Sequence, residues 1–297
     1  MNIELSGRFK IEAIRPDGTR RVLAEWFPNL ILDSGLNRIG SGGFLSHAMV
    51  GSSSAAPLVG HTTLVTPVAN TSNVLVISYG TELPSNYCYV RRTFRFVAGA
   101  AAGNLSEVGV GWSATACFSR ALIVDGVGTP TAITVLSDEI LDVTYEFRQY
   151  WPTVDGSATI TVNATDYSVV SRASRVGDWS NNMSLFIGFG SNTIDPFHFI
   201  ARSYLGGTPA NLNGITLGPG MTSQGDGYFG FGSAYVNNSY ERNYYCTFDL
   251  DIINPMTAVE VIGPLGMFKL SLNPAIPKDN TNKFTLNCKY TWARRTI

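Results

Sequence analysis

The chain has 297 residues, a formal net charge of −1 and 44% hydrophobic residues. That excludes a disordered segment, and it leaves no global field to draw in nucleic acid or an anionic membrane. Charged residues make up only 14% of the chain; the abundant Gly, Ser, Thr and Asn suit short strands, tight turns and surfaces covered by neighbours.

Ile3, Leu5, Phe9, Ile11 and Ala13 share one parity against Glu4, Arg8, Lys10 and Glu12, which predicts a half-buried strand over 3–14. Pro16-Asp17-Gly18 reads as a turn and Val22–Phe27 as the returning strand. In the stretch 29–39, Asp33 or Ser34 can cap a short helix that the glycines at 40, 42 and 43 end. From 51 to 90 the composition fits strands with long loops, including Val74–Ile77. Further strands are expected at Arg91–Val97, Val108–Trp112, Cys117–Val124, Ile133–Leu136 and Leu141–Tyr150. In the last, Val143, Tyr145 and Phe147 face one way and Thr144, Glu146 and Arg148 the other.

The second half, 157–297, echoes the first, 1–156. Ile160-Thr-Val162 opens it as Ile3-Glu-Leu5 opens the other, and Ile187-Gly-Phe-Gly-Ser191 matches Val50-Gly-Ser-Ser53. Thr247-Phe248 matches Thr93-Phe94, and Glu260-Val261 matches Glu107-Val108. Phe248, Leu250 and Ile252 repeat the Phe94/Phe96 strand, and Phe284, Leu286, Cys288, Tyr290 and Trp292 form an aromatic closing strand. The expected fold is all-β: two tandem, duplicated antiparallel β-sandwiches of jelly-roll kind, with one short helix in the first.

Signatures of chemistry are sparse. His47, His61 and His198 stand apart, and the cysteines at 88, 117, 246 and 288 form no C-x-x-C pair, so metal and other cofactors are not expected. The G-x-S-x-G elbow and the phosphate loop are both missing. Asp138, Glu139 and Asp142 form one acidic cluster; Asp249 and Asp251, two apart on an expected strand, could flank a sugar or a calcium ion but read more simply as a solvated face. The chain is therefore expected not to be an enzyme, with a carboxylate glycosidase as a minor alternative. The Arg294-Arg295 end reads as a solvated terminus or a salt-bridge partner. No signal pattern stands at MNIELSGRFK, and no apolar run is long enough to span a bilayer. The thiols are expected to stay free in a reducing cytosol, and the five N-x-S/T triplets, at Asn70, Asn104, Asn163, Asn182 and Asn237, to carry no glycans.

The tract Gly225–Gly232, continued by Tyr235–Tyr240, combines Tyr, Asn and Gly as binding loops do. Tyr228, Phe229, Tyr235, Asn237, Asn238 and Tyr240 are its candidate contact residues; the structural alternative is a strand pair with glycines easing close packing.

Phe27-Pro-Asn-Leu-Ile-Leu-Asp-Ser-Gly-Leu-Asn-Arg-Ile39, Val50-Gly-Ser-Ser-Ser-Ala-Ala-Pro57, Leu105-Ser-Glu-Val-Gly-Val-Gly-Trp112, Phe118-Ser-Arg-Ala-Leu-Ile123 and the run Ile133–Phe147 carry a resemblance. Over about residues 1–150 the chain resembles tail proteins of tailed bacteriophages, of the tail-fibre, baseplate or tail-tip kind. The resemblance implies a non-enzymatic virion protein, assembled in the host bacterial cytoplasm. Its implied partners are copies of itself, with a trimer among the options, and other tail proteins, with a host surface glycan or pilus at the far end. The N-terminal half would anchor on the tail and the C-terminal half face the partner or host. A carbohydrate-binding receptor-recognition module and a capsid decoration protein are the alternatives. Neither nucleic acid nor a membrane span is expected.

Overall fold

The computed structural model describes residues 1–41, 43–174, 176–180, 200–205, 222–231, 234–250, 255–263 and 265–295, with the backbone only for 200–205 and 222–231. Strands dominate them. The first half holds β1 (Asn2–Ile14), β2 (Arg20–Pro28), β3 (Leu30–Ile31), the helix α1 (Asp33–Ile39), β4 (His47–Gly51), β5 (Pro67–Thr71), β6 (Val74–Glu82), β7 (Tyr87–Phe96), β8 (Gly103–Leu105), β9 (Glu107–Ser113), β10 (Ala116–Leu122), β11 (Ile133–Val135) and β12 (Ile140–Tyr150). The second holds β13 (Gly156–Val162), β14 (Thr165–Ala173), β15 (Ile200–Leu205), β16 (Thr222–Phe231), β17 (Glu241–Phe248), β18 (Met256–Gly263), β19 (Gly266–Ile276) and β20 (Phe284–Arg294).

The first half is two larger sheets packed face to face, with β8 and β11 forming a separate two-stranded sheet. One contains β2, β1, β12, β7 and β6; the other runs β3-β10-β9-β4-β5. The alternation in β1 does what period two requires: Ile3, Leu5, Phe9, Ile11 and Ala13 are all buried. Phe9 meets Tyr145 of β12 at 4.8 Å between ring centres. Phe118 of β10 meets Phe147 of β12 edge to face at 5.6 Å across the two sheets, the favoured geometry for aromatic pairs. Gly7 interrupts the pattern because a Cβ there would lie 2.2 Å from the Tyr145 hydroxyl oxygen.

The eight described strands of the second half form one sheet, in the order β13-β14-β19-β18-β15-β16-β17-β20. The expected second sandwich is not confirmed by these strands. Their sheet curls: four strands separate β19 from β20, yet Phe268 and Tyr290 meet edge to face at 5.5 Å. The Tyr290 hydroxyl donates to the Gly266 carbonyl. Gly266, at φ +117, also lets the Trp179 ring lie where a Cβ would come within 2.6 Å. Aromatics on one parity of β20 therefore fill the inside of a curved sheet.

The two halves share that sheet. Along one edge β1 pairs with β12 from Glu4↔Tyr150 to Ile14↔Ile140. Its other edge is divided: residues 2–5 pair in parallel with β20, and residues 8–14 pair antiparallel with β2. The result is a thirteen-stranded sheet that ends on β13 at one side and β6 at the other.

The matching landmarks fall partly on equivalent places. β7 lies beside β12 as β17 lies beside β20. β1 pairs with β12, however, whereas β13 pairs with β14. Glu107 sits in the second layer of the sandwich, and Glu260 in the shared sheet. The Phe248-Leu250-Ile252 strand stops at Phe248; Leu250 is in a turn and Ile252 lies outside the described residues. The Ile187–Ser191 echo also lies outside them.

Candidate functional site

The predicted contact tract divides into two parts. Tyr228 and Phe229 are in β16, inside the sheet, opposite Thr247 and Cys246 of β17; their side chains lie outside the described residues. The rest, Tyr235–Tyr240, is a loop seated on α1 of the other half. Asn37 organises it. Its Oδ1 accepts from the Tyr235 hydroxyl at 2.9 Å and from the Asn238 amide at 2.6 Å, and its Nδ2 donates to Asn238 Oδ1 at 2.8 Å. The Tyr240 hydroxyl donates to Asp33 at 3.1 Å, and Arg242 donates to the Gly40 carbonyl at 2.7 Å. Beneath, Trp292 Nε1 donates to the Leu36 carbonyl, and Tyr235 stacks on Trp292 with ring centres 5.8 Å apart.

Asn238 and Tyr240 hold φ of 65° and 49°, a conformation non-glycine residues adopt only where surrounding contacts impose it. Three of the six predicted contact residues, Tyr235, Asn238 and Tyr240, thus clasp the halves together. Asn237 is left exposed.

The cap expected at the helix start is absent. Leu32 is the N-cap and supplies no side-chain bond. Ser34 donates to the Cys117 carbonyl, while Asp33 serves the clasp and pairs with Arg294. Arg295 pairs with Glu4 at 2.6 Å. The basic end is therefore a salt-bridge partner of the first half.

Beside the clasp opens a cleft of about 560 Å³. Its walls include Arg38, Ser41, Thr62, Trp112, Tyr235 and Asn237. Trp112 continues the buried parity of Val108 and Val110 along β9, but past the end of the core it is only half-buried. The Arg38 guanidinium lies 5.4 Å from the Trp112 ring centre and donates through Nε to the Gly43 carbonyl. Burial lowers its pKa from the ordinary value.

The remaining predicted residues are structural in their contacts. Glu146, on the face opposite Tyr145, and Asp142, of the acidic cluster, have fully buried carboxylates because arginines close over them. Arg8, Arg91 and Arg148 all bond Glu146, and Arg20 and Arg95 bond Asp142. Burial raises the Glu146 pKa, but the three guanidiniums outweigh it and hold the group below the usual carboxylate range. Glu139 accepts from Arg21 and from the Leu136 amide. Asp249 follows the end of β17 and pairs with Lys283 at 3.1 Å; Asp251, expected to share a strand face with it, lies outside the described residues. His47 bonds Ser46, His61 bonds Arg120, and His198 lies outside them. All four cysteines are buried free thiols, and burial raises Cys117 to about 12. Among the described residues, no group of His, Cys, Asp and Glu could hold a metal ion, and no helix is long and apolar enough to cross a membrane.

Sequence reasoning missed two features. A buried ion pair, Glu107–Arg120 at 2.7 Å with neither side chain exposed, ties down the long loop 52–66. Glu107 accepts from the Val65 and Thr66 amides, and Arg120 donates to the Ala55 and Ala56 carbonyls. The signal was present: an acid and an arginine inside two apolar strand runs. The second feature is an open flank. β5 and β6 are the last strands of their respective sheets and are joined by a tight turn, so they meet at one side of the sandwich. Val68, Leu75, Val76, Ile77 and Tyr79 there are all more than two-fifths exposed. β6 pairs only with β7, which leaves the backbone groups of its other edge unpaired by any described strand.

Comparison with protein-family models, with curated proteins and with solved structures finds no match.

Proposed function

We propose that the chain is a non-enzymatic structural component of a bacteriophage tail, in the fibre, baseplate or tip. It assembles with copies of itself and with other tail proteins and contributes to host attachment. The open flank carries this reading. A nine-residue edge strand with four exposed large apolar side chains invites uncontrolled pairing unless a neighbour covers it. The strand has only one charge, Glu82, at its end. Two copies paired antiparallel about Ser78 would set each Ile77 across from the other copy's Tyr79, a favourable β-branched–aromatic pair, with Glu82 opposite Val74 and no like charges facing. The resemblance of residues 1–150 to tail proteins supplies the setting.

The finer reading of the fold belongs to the same proposal. The halves, divided at 156/157, are diverged copies of one module. The adjacent pairs β7–β12 and β17–β20 support this. Labelling the protein on intact particles tests the role: signal on the tail supports it, and signal confined to the capsid shell transfers it to shell decoration.

A further inference from the structure

The cleft beside the clasp has a lining that nothing in the assembly reading uses. Its half-buried Trp112 stands at a core-parity position, where a large aromatic is ordinarily covered. The ring packs against the core and has Arg38 over it; what is left of it offers apolar area to a ligand. Around it are hydroxyls from Ser41 and Thr62 and the exposed amide of Asn237. Arg38 spends its Nε on Gly43, and its two terminal nitrogens have no partner among the described residues. The lining contains one acid, Asp33, already held by Tyr240 and Arg294, and one cation. A lining so nearly neutral does not suit a phosphate-rich ligand, and its polar groups would be left unpaired by a purely apolar one.

We propose that this cleft is a saccharide-binding site. A sugar has the matching chemistry: an apolar ring face to lie against Trp112, and hydroxyls to meet Arg38, Asn237 and Thr62. The volume of about 560 Å³ falls within the range of small-ligand sites and leaves room for a short stretch of oligosaccharide. The site straddles the clasp, so both halves contribute, Tyr235 and Asn237 from the second and the rest from the first. The proposal does not rest on the tail reading.

The test is a glycan array covering bacterial and eukaryotic oligosaccharides, probed with the whole protein. Titration of each bound sugar by isothermal calorimetry follows. The expected result is saturable binding that weakens at least tenfold in both Trp112→Ala and Asn237→Ala. Asn237→Ala guards against a fold defect, because that side chain is exposed, and circular dichroism of both variants checks it further. Binding of no sugar on the array overturns the proposal, and so does binding that neither variant alters. Self-association measured on the same samples reports separately on the open flank, so one reading can fail without the other.

Discussion

Glu107 and Arg120 are the residues that tie down the long loop 52–66 of the first half. Both side chains are fully buried, and between them they bond the backbone of four residues in the loop 52–66. Removing one partner strands the other charge in the interior. Arg120→Ala should cost about 3–5 kcal/mol in urea unfolding, the range for breaking a buried pair. Substituting both with well-packed apolar residues should cost clearly less. Glu139 gives a prediction in pH. Hydrogen bonds from Arg21 and the Leu136 amide hold its pKa down to about 2, against an ordinary 4.5. A carboxylate depressed in the folded state contributes stability that is complete above the ordinary value and is lost as pH falls through the folded one. Between pH 4.5 and 2, wild-type stability should therefore drop more steeply than that of Glu139→Gln, read as the urea midpoint at each pH.

Among the elements, the clasp joins parts of the chain 201 residues apart through Asn37 and Asn238. Asn37→Ala deletes its three hydrogen bonds and leaves the Asn238 amide without its acceptor. The expected cost is about 1–3 kcal/mol, with faster amide exchange at 235–240 and little change in β1. Equal exchange in wild type and variant would show that the loop is held by packing alone. This contrast explains what could be read from the sequence. β1, β12 and β20 were legible because burial on one face imprints period two on Ile3–Ala13, Val143–Phe147 and Phe284–Trp292. The seating of the loop 235–240 on α1 was not legible, because Tyr, Asn and Gly look the same whether they meet a ligand or a distant helix. The burial of Glu146 was not legible, because alternation reports which face a residue is on, not whether arginines from neighbouring strands cover it. The curl of the sheet formed by the described strands of the second half was illegible for a similar reason. Curvature brings Phe268 against Tyr290 without altering the alternation of either strand.

For the whole molecule, the shared sheet makes the two halves one framework, and its β6 end is the place where a neighbour would add. Ile77 is 46% exposed, so a charge there should scarcely disturb the fold. Ile77→Asp should leave the unfolding midpoint nearly unchanged while abolishing self-association in sedimentation. A variant that still associates as wild type would move the interface elsewhere. The proposed covering of the β5–β6 flank by another subunit in an assembled tail can be seen in a side-chain-resolution cryo-EM map of the particle. The expected map has a tail-located subunit with a second chain against Leu75, Ile77 and Tyr79; a subunit on the capsid shell, or a β6 facing open solvent in the assembled tail, would contradict the proposal.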